Sequence, residues 1–420
     1  MDIKNLYKRN IRIHTFFSKK SSNVIYVVQT IFIALVGVLK SFILMRLIGI
    51  EDIGFISLFQ SIITIISFLQ IGLLNGGYRI ISRSDTALKR INNFVYSYHI
   101  FFLILILTVI VPLSYYFNFT TDLFLIFYAV LIGILSILSN WNTNILLAQQ
   151  KIHLLNKLSL GSLAASFLAL FLMNYSAIWA GLLMTTFQIV VFVIASSIAG
   201  DYRFKLVKLD KRTFIYLMRV GFVPYLIGII GTLFVILEKW VITSDMGVES
   251  LGEYYLVGIY SVFFLLAPSA LNNLLFPAAL KTKVKFANIY LSFYKSYFLQ
   301  LSVYIFFAGM LTYFAADDLI EYFLPNYLSS VKLIKIVFWG LAFITISQPF
   351  LLITQLKLEY RKMIIVYVYS IILVSILYFI SSFKHSKSLE TYAYINSFFN
   401  IFVALNFVFL YFADKRIFNE

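Results

Sequence analysis

The chain has 420 residues, of which 61% are hydrophobic and only 12% charged. A sequence that apolar cannot hide its surface around a water-soluble core, so it requires lipid as solvent and leaves no room for a large soluble domain. Its net charge of +16 suits either nucleic acid or an oriented membrane protein, and the lack of cysteine excludes disulfides and thiolate chemistry.

Lys4, Lys8, Arg9, Arg12, Lys19 and Lys20 are interleaved with Ile3, Leu6, Ile11 and Phe16. Residues 1–23 are therefore expected to form a basic amphipathic arm on the cytoplasmic membrane surface. Apolar segments follow near 24–49, 53–76, 94–117, 122–148, 154–174, 177–199, 213–243, 251–277, 290–315, 330–356, 363–382 and 389–412. These twelve segments are long enough to span as helices, and the prolines inside them (Pro112, Pro224, Pro268, Pro349) are tolerable in lipid. The fold expected is all-α and integral to the membrane. Six spans fall in 24–200 and six in 213–420, joined by a cytoplasmic linker over 201–212.

The charges decide the orientation. With the N-terminus inside, twenty-seven of the 34 Lys and Arg fall on inner connections, and only Lys332, Lys335, Lys384 and Lys387 fall outside. That split is a positive-inside signal and predicts both termini in the cytoplasm. The net charge then reports topology, so a nucleic-acid partner is not expected.

Two stretches repeat. Gly49, Glu51, Gly54 and Leu58 match Gly247, Glu249, Gly252 and Leu256 at a constant offset of 198 residues. An even number of spans separates them, so the two six-helix lobes are parallel repeats related by an axis along the membrane normal. Such an arrangement suits a transporter that exposes a cleft between its lobes to each side in turn. A duplication with no mechanism attached would leave the same trace.

The offset also pairs Lys40 with Glu238, each about 13 Å below its turn and close to mid-membrane. A charge there costs ~2.5–3.5 kcal/mol, so each needs a reason. Lys40 could snorkel and Glu238 could pair with Lys239. Alternatively, Lys40, Glu238 and Lys239 share a wet cleft that binds substrate or couples an ion. Arg46, near the outer end, reaches either headgroups or the cleft. Arg79 and Arg219 lie at inner helix ends, where topology explains them and an inward mouth could use them. Asn75 and Asn140 are either interhelical glue or hydrogen-bonding groups for a sugar. Asp317-Asp318 has too few partners for a metal site.

The segment Arg46-Leu47-Ile48-Gly49-Ile50-Glu51-Asp52-Ile53-Gly54 resembles the R-x-L-G-x-E-x-x-G signature of Wzx-like polysaccharide flippases. These belong to the multidrug/oligosaccharidyl-lipid/polysaccharide exporter superfamily. Glu238-Lys239 with Gly247, Glu249, Gly252 and Tyr254 is similar to that family's acidic-basic pair and G-x-Y turn, with glutamate for the more usual aspartate. The resemblance implies a V-shaped bundle with a cationic cavity, in the inner membrane of a bacterium. It implies a flippase moving an undecaprenyl-diphosphate-linked oligosaccharide outward for O-antigen, capsule or exopolysaccharide synthesis. Lys40, Arg46 and Lys239 become candidates for the diphosphate or acidic sugars, and a polymerase or glycosyltransferases become expected partners. No nucleotide-binding loop is present, so no cofactor is expected beyond H+ or Na+ coupled through Glu238. The rivals are a drug or cation exporter of the same superfamily, which should carry acid in its cleft, and a polysaccharide polymerase, for which the outer loops are short. A transporter, not an enzyme, is expected.

Overall fold

The computed structural model describes residues 20–83, 87–116, 123–172, 176–200, 205–282, 290–356, 360–383 and 387–417. Most of the expected basic arm, residues 1–19, lies outside them, as does the first part of the expected linker. The described residues are helical, in the order α1 (Lys20–Leu47), α2 (Ile50–Ile66), α3 (Leu73–Arg83), α4 (Leu88–Tyr116), α5 (Leu123–Ala148), α6 (Ile152–Ser166) and α7 (Ala177–Ala199). A single long element, α8 (Lys211–Thr282), opens the second half. It is followed by α9 (Tyr290–Met310), α10 (Ala316–Phe323), α11 (Ser329–Leu356), α12 (Tyr360–Phe383) and α13 (Leu389–Ile417).

Ten of these stretches are long and apolar enough to cross a membrane. One of them, α8, is broken at Gly247 (φ 88°) into two arms, and the 28-residue α1 precedes them. The breaks follow from local sequence. Gly49 is the extended N-cap of α2, with Glu51 and Asp52 in the first turn, where acid complements the helix dipole. Gly247 (φ 88°, ψ 172°) breaks α8 at the matching position through a different backbone conformation, with Glu249 two residues on. A second break follows α2: a 3-10 turn (Ser67–Gln70) leads into left-handed Ile71 (φ 44°) and Gly72 (φ 80°), which re-aim the chain into α3.

The apolar cores give the shape. One core, at the end of the bundle carrying Gly49 and Gly247, draws on both lobes: Ile48, Ile53, Ile56 and Leu182 from the first, and Ile242, Tyr254, Val337 and Ala393 from the second. Toward the opposite end the packing divides. Leu74, Val95, Trp141 and Ile145 centre a core of the first lobe that also takes in Leu217 from the root of α8, and Phe234, Met363, Val403 and Phe407 centre a separate core of the second. Two six-helix lobes thus converge at one end and diverge at the other, a V with its apex at the repeated turns.

Candidate substrate cleft

The repeat is visible in three dimensions at the apex. A Cβ on Gly54 would stand 2.0 Å from the carbonyl oxygen of Val248, and one on Gly252 would stand 1.9 Å from that of Ile50. Ile50 and Val248 are themselves 198 residues apart, so these are one contact made twice. Only glycine lets the two helix starts cross so closely. Just below, the Tyr255 hydroxyl joins Ser41 and Gln60 across the interface. Trp240 Nε1 donates to Ser61 Oγ at 2.9 Å.

Lys40 and Glu238 are each engaged within their own lobe. Lys40 Nζ donates to Gln188 Oε1 of α7 at 2.6 Å. Glu238 accepts from Tyr254 Oη at 2.9 Å and from Asn396 Nδ2 at 2.9 and 3.0 Å. Both charges are half-buried. In each lobe, therefore, the first helix presents a charge that is met by an amide on the last helix.

Lys239 has a different setting. It lines a cavity of about 470 Å³ with Ser61 and Thr64 of α2, Gly228, Thr232 and Ile236 of α8, and Tyr367 of α12. The cavity lies between the lobes, and its lining carries one ammonium, three hydroxyl side chains and a phenol but no carboxylate. Neither Lys40 nor Glu238 is part of that lining, so the three charges do not share this one chamber. Adjacent residues on a helix point ~100° apart, which is why Glu238 enters the second lobe while Lys239 enters the cleft.

The remaining predicted residues scatter. Arg46 is exposed near the apex, Arg219 is exposed near the start of α8, and Asn140 is exposed on α5. Arg79 is buried and Asn75 half-buried, both on α3. The buried amide of the α5 cluster is Asn142, which accepts from Tyr96 Oη at 2.7 Å and donates to Ser196 Oγ at 2.8 Å. Sequence reasoning had not singled out Gln188 or Asn396 as partners of the charges, nor Thr64, Thr232 and Tyr367 as cleft residues. The available signal was a polar side chain inside an apolar run: Gln188 interrupts α7, and Asn396 with Asn400 interrupts α13 at helical spacing.

At the open end the first lobe also receives the root of α8. Gly221 approaches Gly72 so closely that a Cβ on it would stand 2.0 Å from the Gly72 carbonyl oxygen, and Tyr225 Oη donates to the Phe68 carbonyl. Asp210 caps α8, accepting from the backbone N–H groups of Arg212 and Thr213 at 2.9 and 3.0 Å. Arg90 of the first lobe reaches the same carboxylate at 3.1 Å. The Thr213 hydroxyl and those N–H groups hold Asp210 down at about 2, below the ordinary carboxylate value.

Helices of this length and apolarity define a multi-pass membrane protein, and its architecture is two helical lobes with a cleft between them. Solved structures of transporters share it. The MATE multidrug transporter DinF-BH is similar at a TM-score of 0.68 and 15% identity, over 96% of this chain and 96% of that one. The bent form of the Vibrio cholerae MATE transporter VcmN is similar at 0.64 and 14%, over 95% and 98%. The inward-facing conformation of a multidrug resistance MATE family transporter of the MOP superfamily is similar at 0.58 and 16%, over 91% and 93%. No protein-family model matches the chain, and no curated protein matches it by sequence. At these identities the likeness is one of fold: the chain has the MATE transporter fold.

Proposed function

We propose that this protein is an alternating-access flippase carrying an undecaprenyl-diphosphate-linked oligosaccharide from the inner to the outer leaflet of a bacterial plasma membrane. The observation that carries the reading is the cleft's charge. Its lining offers Lys239 and hydroxyl groups, while Glu238, on the adjacent position, is turned into the second lobe and held by Tyr254 and Asn396. A diphosphate concentrates negative charge and needs a cation and hydrogen-bond donors to cross the hydrocarbon. The lipid tail can remain among acyl chains while the headgroup passes.

The positive-inside count puts the apex outside, so the V opens toward the cytoplasm, where the cargo is assembled. Glycosyltransferases would supply that cargo and a polymerase would consume it. Glu238 is the carboxylate through which a proton or sodium gradient would act.

A drug or cation exporter is the second reading, favoured by the fold's similarity to multidrug transporters. One experiment separates the two. Purified protein in proteoliposomes is assayed with a fluorescent lipid-diphosphate oligosaccharide and, separately, with a cationic dye. The flippase reading expects lipid translocation, lost at least about tenfold in Lys239→Gln, which is ~1.4 kcal/mol or more of binding. Dye transport without lipid translocation would sink it.

A further inference from the structure

A second cavity, about 450 Å³, lies away from the cleft on the second lobe. Its walls are Tyr313, Lys332, Lys335, Trp339, Tyr394 and Phe398. Tyr313 sits in the π-helical turn Leu311–Ala315 that joins α9 to α10, a distortion that frequently marks a functional site. Its hydroxyl donates to the Lys335 carbonyl at 3.0 Å and its ring stands edge-on to Phe338, which fixes that wall. The opposite wall is set by the crossing of α11 and α13, where Gly340 N donates to Ser397 Oγ at 2.9 Å.

The groove has a polarity gradient. Both α11 and α13 begin at the apex end. Lys332 lies about 4.5 Å and Trp339 about 15 Å along α11, while Tyr394 lies about 7.5 Å and Ile401 about 18 Å along α13. Charge is confined to the rim. The floor is Ile336, Phe398 and Ile401, and the Ser397 hydroxyl there is already engaged. A glycan would need polar partners along its whole length, whereas an amphiphile needs them at one end only. Trp339 and Phe398 are each 54% exposed, so the groove opens sideways, where acyl chains would lie.

The rim is balanced rather than cationic. The two lysines that line the groove are each met by a carboxylate just outside its lining: exposed Lys332 pairs with Glu390 at 2.7 Å, and half-buried Lys335 pairs with Asp317 at 2.5 Å. Two ammonium groups beside two carboxylates complement a headgroup that carries one charge of each sign. We propose that this groove is a binding site for a zwitterionic phospholipid with a primary ammonium, of the phosphatidylethanolamine type. The phosphate sits at Lys332 and Lys335, the ammonium at Asp317 and Glu390, and an acyl chain lies along Trp339, Phe398 and Ile401. A trimethylated ammonium cannot donate to those carboxylates, and an anionic headgroup drawing Lys332 and Lys335 away from Glu390 and Asp317 offers the carboxylates no donor in return.

The test is native mass spectrometry of the purified full-length protein, titrated separately with phosphatidylethanolamine, phosphatidylcholine and phosphatidylglycerol. Retention of the first at a concentration about fivefold lower than the other two is expected, a difference of ~1 kcal/mol. The double variant Lys332→Gln, Lys335→Gln should remove that preference. Phe398→Trp, which fills the floor and leaves the rim intact, should weaken all three lipids, with the melting temperature of each variant showing that it folds. Equal retention of the three lipids, a preference for phosphatidylglycerol, or an unchanged preference in the folded double variant would each overturn the proposal.

Discussion

The two lobes place Lys40 and Glu238 at positions 198 residues apart, and each charge meets an amide from the last helix of its own lobe. The chemistry around them nevertheless differs. Lys40 has the neutral oxygen of Gln188, whereas Glu238 has the Asn396 Nδ2 amide shared between its two oxygens and a further contact from the Tyr254 hydroxyl. The residue equivalent to Tyr254 in the first lobe is Ile56, which packs in the shared apolar core. Duplication has kept the backbone frame and the site of the charge while sign and partners have diverged. Keeping the frame preserves the apex crossing; letting the side chains drift makes one lobe a cation holder and the other a carboxylate holder.

The crossing itself is the sharpest place to break this symmetry. Gly54→Leu and Gly252→Leu should each force the apex apart, because a side chain cannot share space with a carbonyl oxygen about 2 Å from its Cβ. Both should abolish transport, and by the twofold relation they should do so equally. A cysteine placed at Ser61 in this cysteine-free chain should then become labelled from the apex side. Activity surviving in one glycine variant and not the other would break the equivalence.

Next in size is the effect on the charges. Lys40→Met and Glu238→Gln should each lower transport about tenfold or more, as expected for residues whose charge is retained at a cost inside the membrane. Because the structure places the two in separate lobes, the swap Lys40→Glu with Glu238→Lys should not restore activity. A double-mutant cycle on stability should be additive to within ~0.5 kcal/mol. Rescue by the swap would mean that the two charges meet.

Stability differences come third. Asn396→Leu should lower thermal stability by ~1–3 kcal/mol by stripping donors from a half-buried carboxylate. Gln188→Leu should cost less, since an ammonium on a long stem can find another acceptor. Thermal unfolding of the two variants in one detergent checks the order, and a larger loss for Gln188→Leu would reverse it.

The smallest effect belongs to Asp210→Asn, which weakens the α8 cap and the Arg90 pair. The wild-type carboxylate is held below its ordinary value, so its contribution is fully present above the unfolded pKa. That contribution is lost as pH falls through about 2. The melting-temperature gap between wild type and variant should therefore be constant from pH 5 to pH 8 and should close only in strong acid. A gap that changed between pH 5 and 8 would assign the effect to another group.

Much of the fold was legible because lipid imposes a simple code. Twelve apolar runs were expected, and ten stretches of the described residues are long and apolar enough to cross a membrane, one of them the kinked α8 that merges two of the runs. A four-residue coincidence at one offset became the reciprocal contact of Gly54 with Val248 and Gly252 with Ile50. Periodicity is local, and so are the breaks it announces: Gly49, Gly247, and the turn at Ile71-Gly72. The partners of a charge are not local. Gln188 lies 148 residues from Lys40, and Asn396 lies 158 from Glu238, so nothing near either charge named its acceptor or donor. The direction of a side chain was equally hidden. Lys239 and Glu238 are neighbours in sequence, and only the packing of α8 between α2, α12 and α13 shows that one enters the cleft and the other leaves it.

The apolar core shared by both lobes at the apex carries an energetic consequence. Tilting the halves so that the other mouth opens must unzip that core and wet surfaces now sealed against each other, at about 2.5 kcal/mol for every 100 Å² surrendered. At the diverging ends the tie is narrower: Leu217, with Phe214 and Met218 beside it, carries the root of α8 into the first-lobe core, while the second-lobe core stands apart. In an alternating-access cycle the cost at the apex would have to be offset by bound cargo or by a coupled ion.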